Sequence, residues 1–82
     1  MVSRDVLIKL IHNSKSKITI LKIIRREPCY VRELSKKMNM FPSAVLKHLG
    51  FLENNDLIIS ETVGRKKYYK ITNKGKDLLD LA

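Results

Sequence analysis

Between Tyr30 and Asp56 the chain reads YVRELSKKMNMFPSAVLKHLGFLENND, a run of hydroxyls, amides and cations set among apolar residues. At helical spacing, Ser43, Leu46, Lys47 and Gly50 share one side, opposite Val45, Leu49 and Leu52. A serine can bond a base edge or a phosphate, a lysine can reach a guanine or a phosphate, and a leucine can touch a thymine methyl. Gly50 would let a groove wall come close. His48 lies on the margin of the apolar side, either as a half-buried structural histidine or as a base or phosphate contact. Further on, Arg65, Lys66 and Lys67 form three adjacent cations behind Gly64. They repel one another, a phosphate backbone within reach offsets that repulsion, and Arg65 can alternatively enter a narrow minor groove. The bland alternative is an edge-strand guard, a common use of lysine. Tyr68 can reach a phosphate, whereas Tyr69 points to the other face and joins Ile71 in the core. Tyr30, Arg32, Ser35 and Lys36 are candidate phosphate contacts, of the kind that position DNA without reading its sequence.

Other chemistries find little support. No serine–histidine–acid set, paired carboxylates or glycine-rich phosphate loop is present, so an enzyme is not expected. His12 and the single cysteine, Cys29, lack ligand spacing, so neither a metal nor a cofactor is expected, and Cys29 reads as a small buried thiol. Seventeen Lys and Arg face eight Asp and Glu, a formal charge of +9 that favours a polyanionic partner through counterion release. The basic residues are spread along the chain and not gathered into one membrane-binding run. Met1–Leu10 carries Arg4, Asp5 and Lys9 within its apolar pattern, unlike a secretory leader. No apolar run approaches the roughly 20 residues of a membrane span. The expectation is a cytoplasmic protein, nucleoid-associated in a prokaryote, with no membrane partner.

The elements that must position these residues follow from caps and periodicity. Eighty-two residues form one domain with one thin core. Ser3 caps a first helix carrying Val6, Leu7, Leu10 and Ile11. Ser14 or Ser16 caps a second, with Lys17, Ile20, Leu21 and Ile24 on one face and Pro28 as its stop. Cys29–Val31 is extended, and a short helix over Val31–Met38 turns inward Val31, Leu34 and Met38. Asn39-Met40-Phe41 is a turn, and Pro42 opens a helix over about 42–54. The period then becomes two. Leu57 and Ile59 alternate with Ile58 and Ser60, and Tyr69 and Ile71 with Tyr68 and Lys70. Gly64 supplies the turn between the two strands, and together they span about 57–72. Thr72 caps a last helix with Leu78, Leu79 and Leu81. The class is mostly α with a small β-hairpin (α+β), and the order is helix, helix, short strand, helix, helix, strand, wing, strand, helix. The apolar face of the first helix exceeds what one thin core covers. Val6, Leu7, Leu10 and Ile11, with Leu78 and Leu81, are therefore assigned to a dimer interface.

The segment PSAVLKHLGFLENNDLIISETVGRKKYYKIT resembles the core of ArsR-like winged helix-turn-helix transcriptional regulators. Thr72-Asn73-Lys74-Gly75 followed by Leu78-Leu79 is similar to the wing-to-last-helix junction of MarR- and PadR-like regulators, and KITILKII to the second helix of the group. The resemblance implies a homodimeric repressor on double-stranded DNA, its two recognition helices entering successive major grooves of a pseudo-palindromic site. Ser43, Leu46, Lys47 and His48 match the base-reading helix; Arg65, Lys66 and Lys67 match the wing. Three features depart from the pattern. Pro42 and Leu46 replace polar base-reading side chains, which implies weak or AT-biased readout. VRELSKKM lacks the paired cysteines, and the last helix the acid–histidine set, of metal-sensing members, which leaves any effector unknown. The last helix is short, which moves the dimer contact onto Val2–Ile11. Two alternatives stand beside this reading: a non-specific architectural or chromatin DNA-binding protein, and a protein–protein winged-helix module.

Overall fold

The computed structural model describes residues 3–81, so the expectation for Val2 lies outside the described residues. The helices are α1 (Arg4–His12), α2 (Lys15–Arg26), α3 (Val31–Met38), α4 (Pro42–Asn54) and α5 (Asn73–Asp80), and the strands β1 (Cys29–Tyr30), β2 (Ile58–Val63) and β3 (Lys66–Ile71). Their boundaries are set by local chemistry. Ser3 Oγ accepts from Val6 N, Ser14 Oγ from Lys17 N, and Thr72 Oγ1 from Gly75 N, each satisfying an amide that the helix itself cannot. Between α3 and α4, Asn39 takes a left-handed conformation at φ 53°, which asparagine tolerates better than most residues. Pro42 begins α4, where its missing N–H costs nothing.

The core is built around α2, whose Ile20, Leu21 and Ile24 are buried. Leu34 of α3, Val45, Leu49 and Leu52 of α4, Leu57, Ile58, Cys29, Tyr69, Leu78 and Leu79 close around it. Leu7 and Ile11 of α1 and Leu78 of α5 lie in this same core, at 1%, 0% and 4% exposure. That corrects half of the expected dimer interface. The two apolar stripes of α1 are separate: Leu7 and Ile11, one turn apart, turn inward, while Val6 and Leu10 remain exposed, as does Leu81.

The strands form an antiparallel sheet in the order β1-β3-β2. Val63 pairs with Lys66, leaving Gly64 and Arg65 as a two-residue turn. Positive φ at Gly64 and not at Arg65 matches a type II′ hairpin, whose twist suits the flanking strands. Of the two alternating sets expected here, Ile58 and Ser60 take the inner side of β2. Leu57 sits in the corner before the strand, so the buried strand position is Ile58, and Ile59 is exposed. A last joint docks α5 on that corner. The Leu57 carbonyl accepts from Thr72 N at 3.0 Å and the Thr72 hydroxyl donates to the Asp56 carbonyl at 2.6 Å. Gly75 packs so closely there that a Cβ would collide with the Leu57 carbonyl oxygen and come within 2.7 Å of Ile71 Cγ1.

Candidate nucleic-acid interface

Helix α4 is held by Val45, Leu49 and Leu52, all essentially inaccessible to water, and this fixes what faces outward. Ser43, Leu46 and Lys47 are exposed, and nothing lies within 4 Å of where a Gly50 side chain would begin. The outer side of α4 is thus open over about two turns, from Ser43 to Gly50. His48 is half-buried beside it; loss of water around the ring lowers its pKa, and Lys17 of α2 pushes in the same direction. The first turn of α4 carries no acid, and no side chain caps it.

The other candidate residues fall into two groups. On the outer face of the sheet, Tyr30 and Tyr68 are directly opposed across β1 and β3 and meet edge to face, with ring centres 5.6 Å apart. Lys66 lies on the same face with its Nζ 4.6 Å above the Tyr30 ring. Tyr30 is also the residue from which α3 begins, so the wing and the mouth of α3 meet at one aromatic pair. Arg32 and Lys36 follow as exposed cations one turn apart on α3. Lys67, by strand alternation, is on the inner face, over Tyr69 at 5.5 Å. The three wing cations are therefore divided: Lys66 joins the Tyr30 group, Lys67 faces the other way, and Arg65 stands at the tip.

Two details narrow the set. The Glu33 carboxylate accepts from Tyr30 N at 3.2 Å, so the amino end of α3 is already partly neutralised. The Ser35 hydroxyl donates its single hydrogen to the Met40 carbonyl, bracing the turn between α3 and α4. Ser35 then has no hydrogen left for a phosphate, which only accepts, and its expected phosphate contact is corrected to a structural role. Among the described residues, ion pairs join Arg25 to Asp80, Lys37 to Glu27 and Lys70 to Glu61. Arg32, Lys36, Lys47, Arg65, Lys66 and Lys67 stand outside them.

Phe41, expected only as part of the turn, is 82% exposed at the start of α4. A signal was available in the sequence. Met40 holds the position before the cap, where an apolar residue packs back onto the helix, and it is partly buried against the core. The cap position itself normally takes a small polar residue, so a phenylalanine there has nowhere inside to go. Elsewhere, Cys29 is buried and its thiol donates to the Glu27 carbonyl, and burial raises its pKa. No three histidine, cysteine or carboxylate side chains gather into a metal-holding group among the described residues. No described helix is long and apolar enough to cross a membrane.

Comparison with known proteins agrees with this arrangement. The transcriptional regulator BldR from Sulfolobus solfataricus superposes with a TM-score of 0.82 at 26% identity, over 89% of this chain and 55% of that one. Reduced HlyU from Vibrio cholerae gives 0.79 at 20% identity, over 93% and 82%. The adhesin competence repressor AdcR from Streptococcus pyogenes gives 0.79 at 20%, over 83% and 52%. A riboflavin kinase of Thermococcus kodakarensis is 43% identical over 49 residues, 60% of this chain. The chain spans 23% of that kinase, so more than three quarters of it has no counterpart here. The fold is that of the winged helix-turn-helix regulators. With residues 14–60, more than half of its length, matching the family described as bacterial regulatory protein, arsR family, the chain belongs to that family of DNA-binding transcriptional regulators.

Proposed function

We propose that this chain acts as a dimeric repressor on a pseudo-palindromic DNA site. Helix α4 enters the major groove, with Ser43, Leu46, Lys47 and His48 toward the bases. Lys66, Tyr68, Tyr30, Arg32 and Lys36 follow the flanking backbone, and Arg65 and Lys67 extend the wing along the backbone or into the minor groove. The observation that carries this reading is the phase of α4: Val45, Leu49 and Leu52 are spent on the core, leaving an open side with Ser43, Leu46 and Lys47, flanked by cations outside the ion pairs found among the described residues. The apolar residues left outside on α1 and just past the end of α5, Val6, Leu10 and Leu81, support a second copy as partner.

Selection of bound duplexes from a random pool at physiological salt tests the reading. Recovery of an inverted repeat with half-sites about one helical turn apart is expected. Affinity for that site should fall by roughly 10³–10⁵ between about 50 and 200 mM salt if six to ten phosphates are contacted. Alanine at Arg65, Lys66 and Lys67 together should flatten the logarithmic salt dependence by about 0.9 for each phosphate that is no longer neutralised. A flat salt response in the unmodified protein would sink the proposal. A second reading, non-specific coating of DNA, gains from Pro42 and Leu46 on the leading face of α4. It predicts equal competition by unrelated duplex, whereas a site-specific repressor prefers its site by about 10³-fold or more.

A further inference from the structure

We propose that Phe41 is a specificity residue: its ring lies in the major groove at the leading end of α4 and packs on the 5-methyl group of a thymine. The inference rests on the DNA-binding reading above and adds a contact that the match to the base-reading helix does not include. Phe41 is the most exposed of the large apolar side chains among the described residues. It is not placed by a loose loop. Its backbone is extended at φ −65° and ψ 144°, its carbonyl accepts from Ala44 N at 3.0 Å and Val45 N at 3.1 Å, and Pro42 stiffens the next step. The ring is therefore presented by the rigid start of the recognition helix. The neighbouring residues that pack inward are Met40, partly buried, and Val45 in the core.

Its surroundings select the partner. Phe41 lines a shallow cleft of about 420 Å³ with Ser35, Lys36, Asn39 and Met40, and the adjoining turn of α4 has no acid. A protein partner with an apolar patch would have to strip water from Lys36 to reach the ring, at a cost. Duplex DNA supplies phosphates for the lysine and apolar surface for the ring in one ligand. In the major groove, the apolar feature that distinguishes one base pair from another is the thymine methyl. Leu46, 49% exposed on the same helix, extends the apolar surface available for such contacts.

The test uses the whole chain, a duplex recovered by the selection above, and versions of it in which one thymine at a time is replaced by deoxyuridine. Deoxyuridine keeps the hydrogen-bonding groups and removes only the methyl. Phe41→Ala should bind the thymine duplex about tenfold more weakly, with the salt dependence unchanged. One deoxyuridine position should cost the unmodified protein roughly fourfold and cost the variant nothing. Because Phe41 is outside the core, the variant should melt with the parent. Equal binding by the variant, or equal sensitivity of both proteins at every deoxyuridine position, would overturn the assignment and leave the DNA-binding reading standing. A variant that changes the sedimentation of the free protein, with its affinity per assembled copy unaltered, would overturn it too, by showing the ring covered by a second copy. Failure of the unmodified protein to bind any duplex removes the DNA-binding reading and this assignment together.

Discussion

Half-burial at the edge of α4 favours the uncharged form of His48, since water lost from around the imidazole is worth most to the cation. Lys17 of α2 adds repulsion of the same sign, with its own ammonium 5.0 Å above the Phe51 ring. The folded pKa is therefore below the unfolded value. The histidine's contribution to stability is complete above the ordinary value near 6.5 and is lost as pH falls through the lowered folded value. Denaturant midpoints measured between about pH 7.5 and 5 should decline, and His48→Gln should remove part of that decline. An identical pH profile in the variant would mean that other groups set it. Which side chains of the candidate site face outward was largely legible residue by residue. Val45, Leu49 and Leu52 fix the phase of the helix, so the outward position of Ser43, Leu46 and Lys47 followed from 100° per residue alone. Ser35 was not legible, because its hydroxyl is claimed by a carbonyl five residues away across a turn whose geometry no period encodes. The division of Lys66 from Lys67 was implicit in strand alternation, but their aromatic partners depend on the register of β1 with β3.

Docking of α5 is the step at which helix, strand and wing become one body. Gly75 lets the first turn of α5 lie against the carbonyl of Leu57, which is itself engaged by Thr72 N. The obstacle to a larger residue is backbone, which cannot rotate away as a side chain can. Gly75→Ala should therefore destabilise by about 1–3 kcal/mol through overpacking, even though alanine is the better helix former by about 1 kcal/mol. Urea denaturation would measure this, with exposed Lys76→Ala as the neutral comparison; an unchanged or raised midpoint for Gly75→Ala would refute the close docking. Element boundaries were readable where a side chain caps an end, as Ser3, Ser14 and Thr72 do, and where Pro42 takes the first helical position of α4. The inner face of β2 was not, because Leu57 is buried in a corner before the strand starts and shifts the apparent alternation by one residue. Four consecutive apolar or polar positions offer no means of separating a corner from a strand.

At the scale of the whole molecule, the fold settles which apolar residues are free to meet another chain. Leu7 and Ile11 are spent on α2 and the core, while Val6 and Leu10 form a second stripe on the outer side of the same helix. Beside this helix an open groove of about 480 Å³ is lined by Arg4, Leu7 and Ile8 of α1, by Lys74, Asp77 and Leu78 of α5, and by Leu81 just past its end. A glutamate at Val6 or Leu10 would lie in water in a lone protomer and cost it little. Across a two-fold interface the same charge would meet its own copy in a desolvated setting, where burial of an unpaired charge is strongly unfavourable. Val6→Glu combined with Leu10→Glu should thus leave the thermal melt of the protomer nearly intact, shift sedimentation from dimer to monomer, and weaken binding to a two-half-site duplex by about 10²–10⁴ as the second half-site becomes a separate event. Leu7→Glu, one position away, should instead unfold the chain, because that carboxylate would have to enter the core. If the double variant sediments and binds as the parent does, the exposed stripe on α1 is not where two copies meet, and the pairing of half-sites must come from elsewhere in the chain.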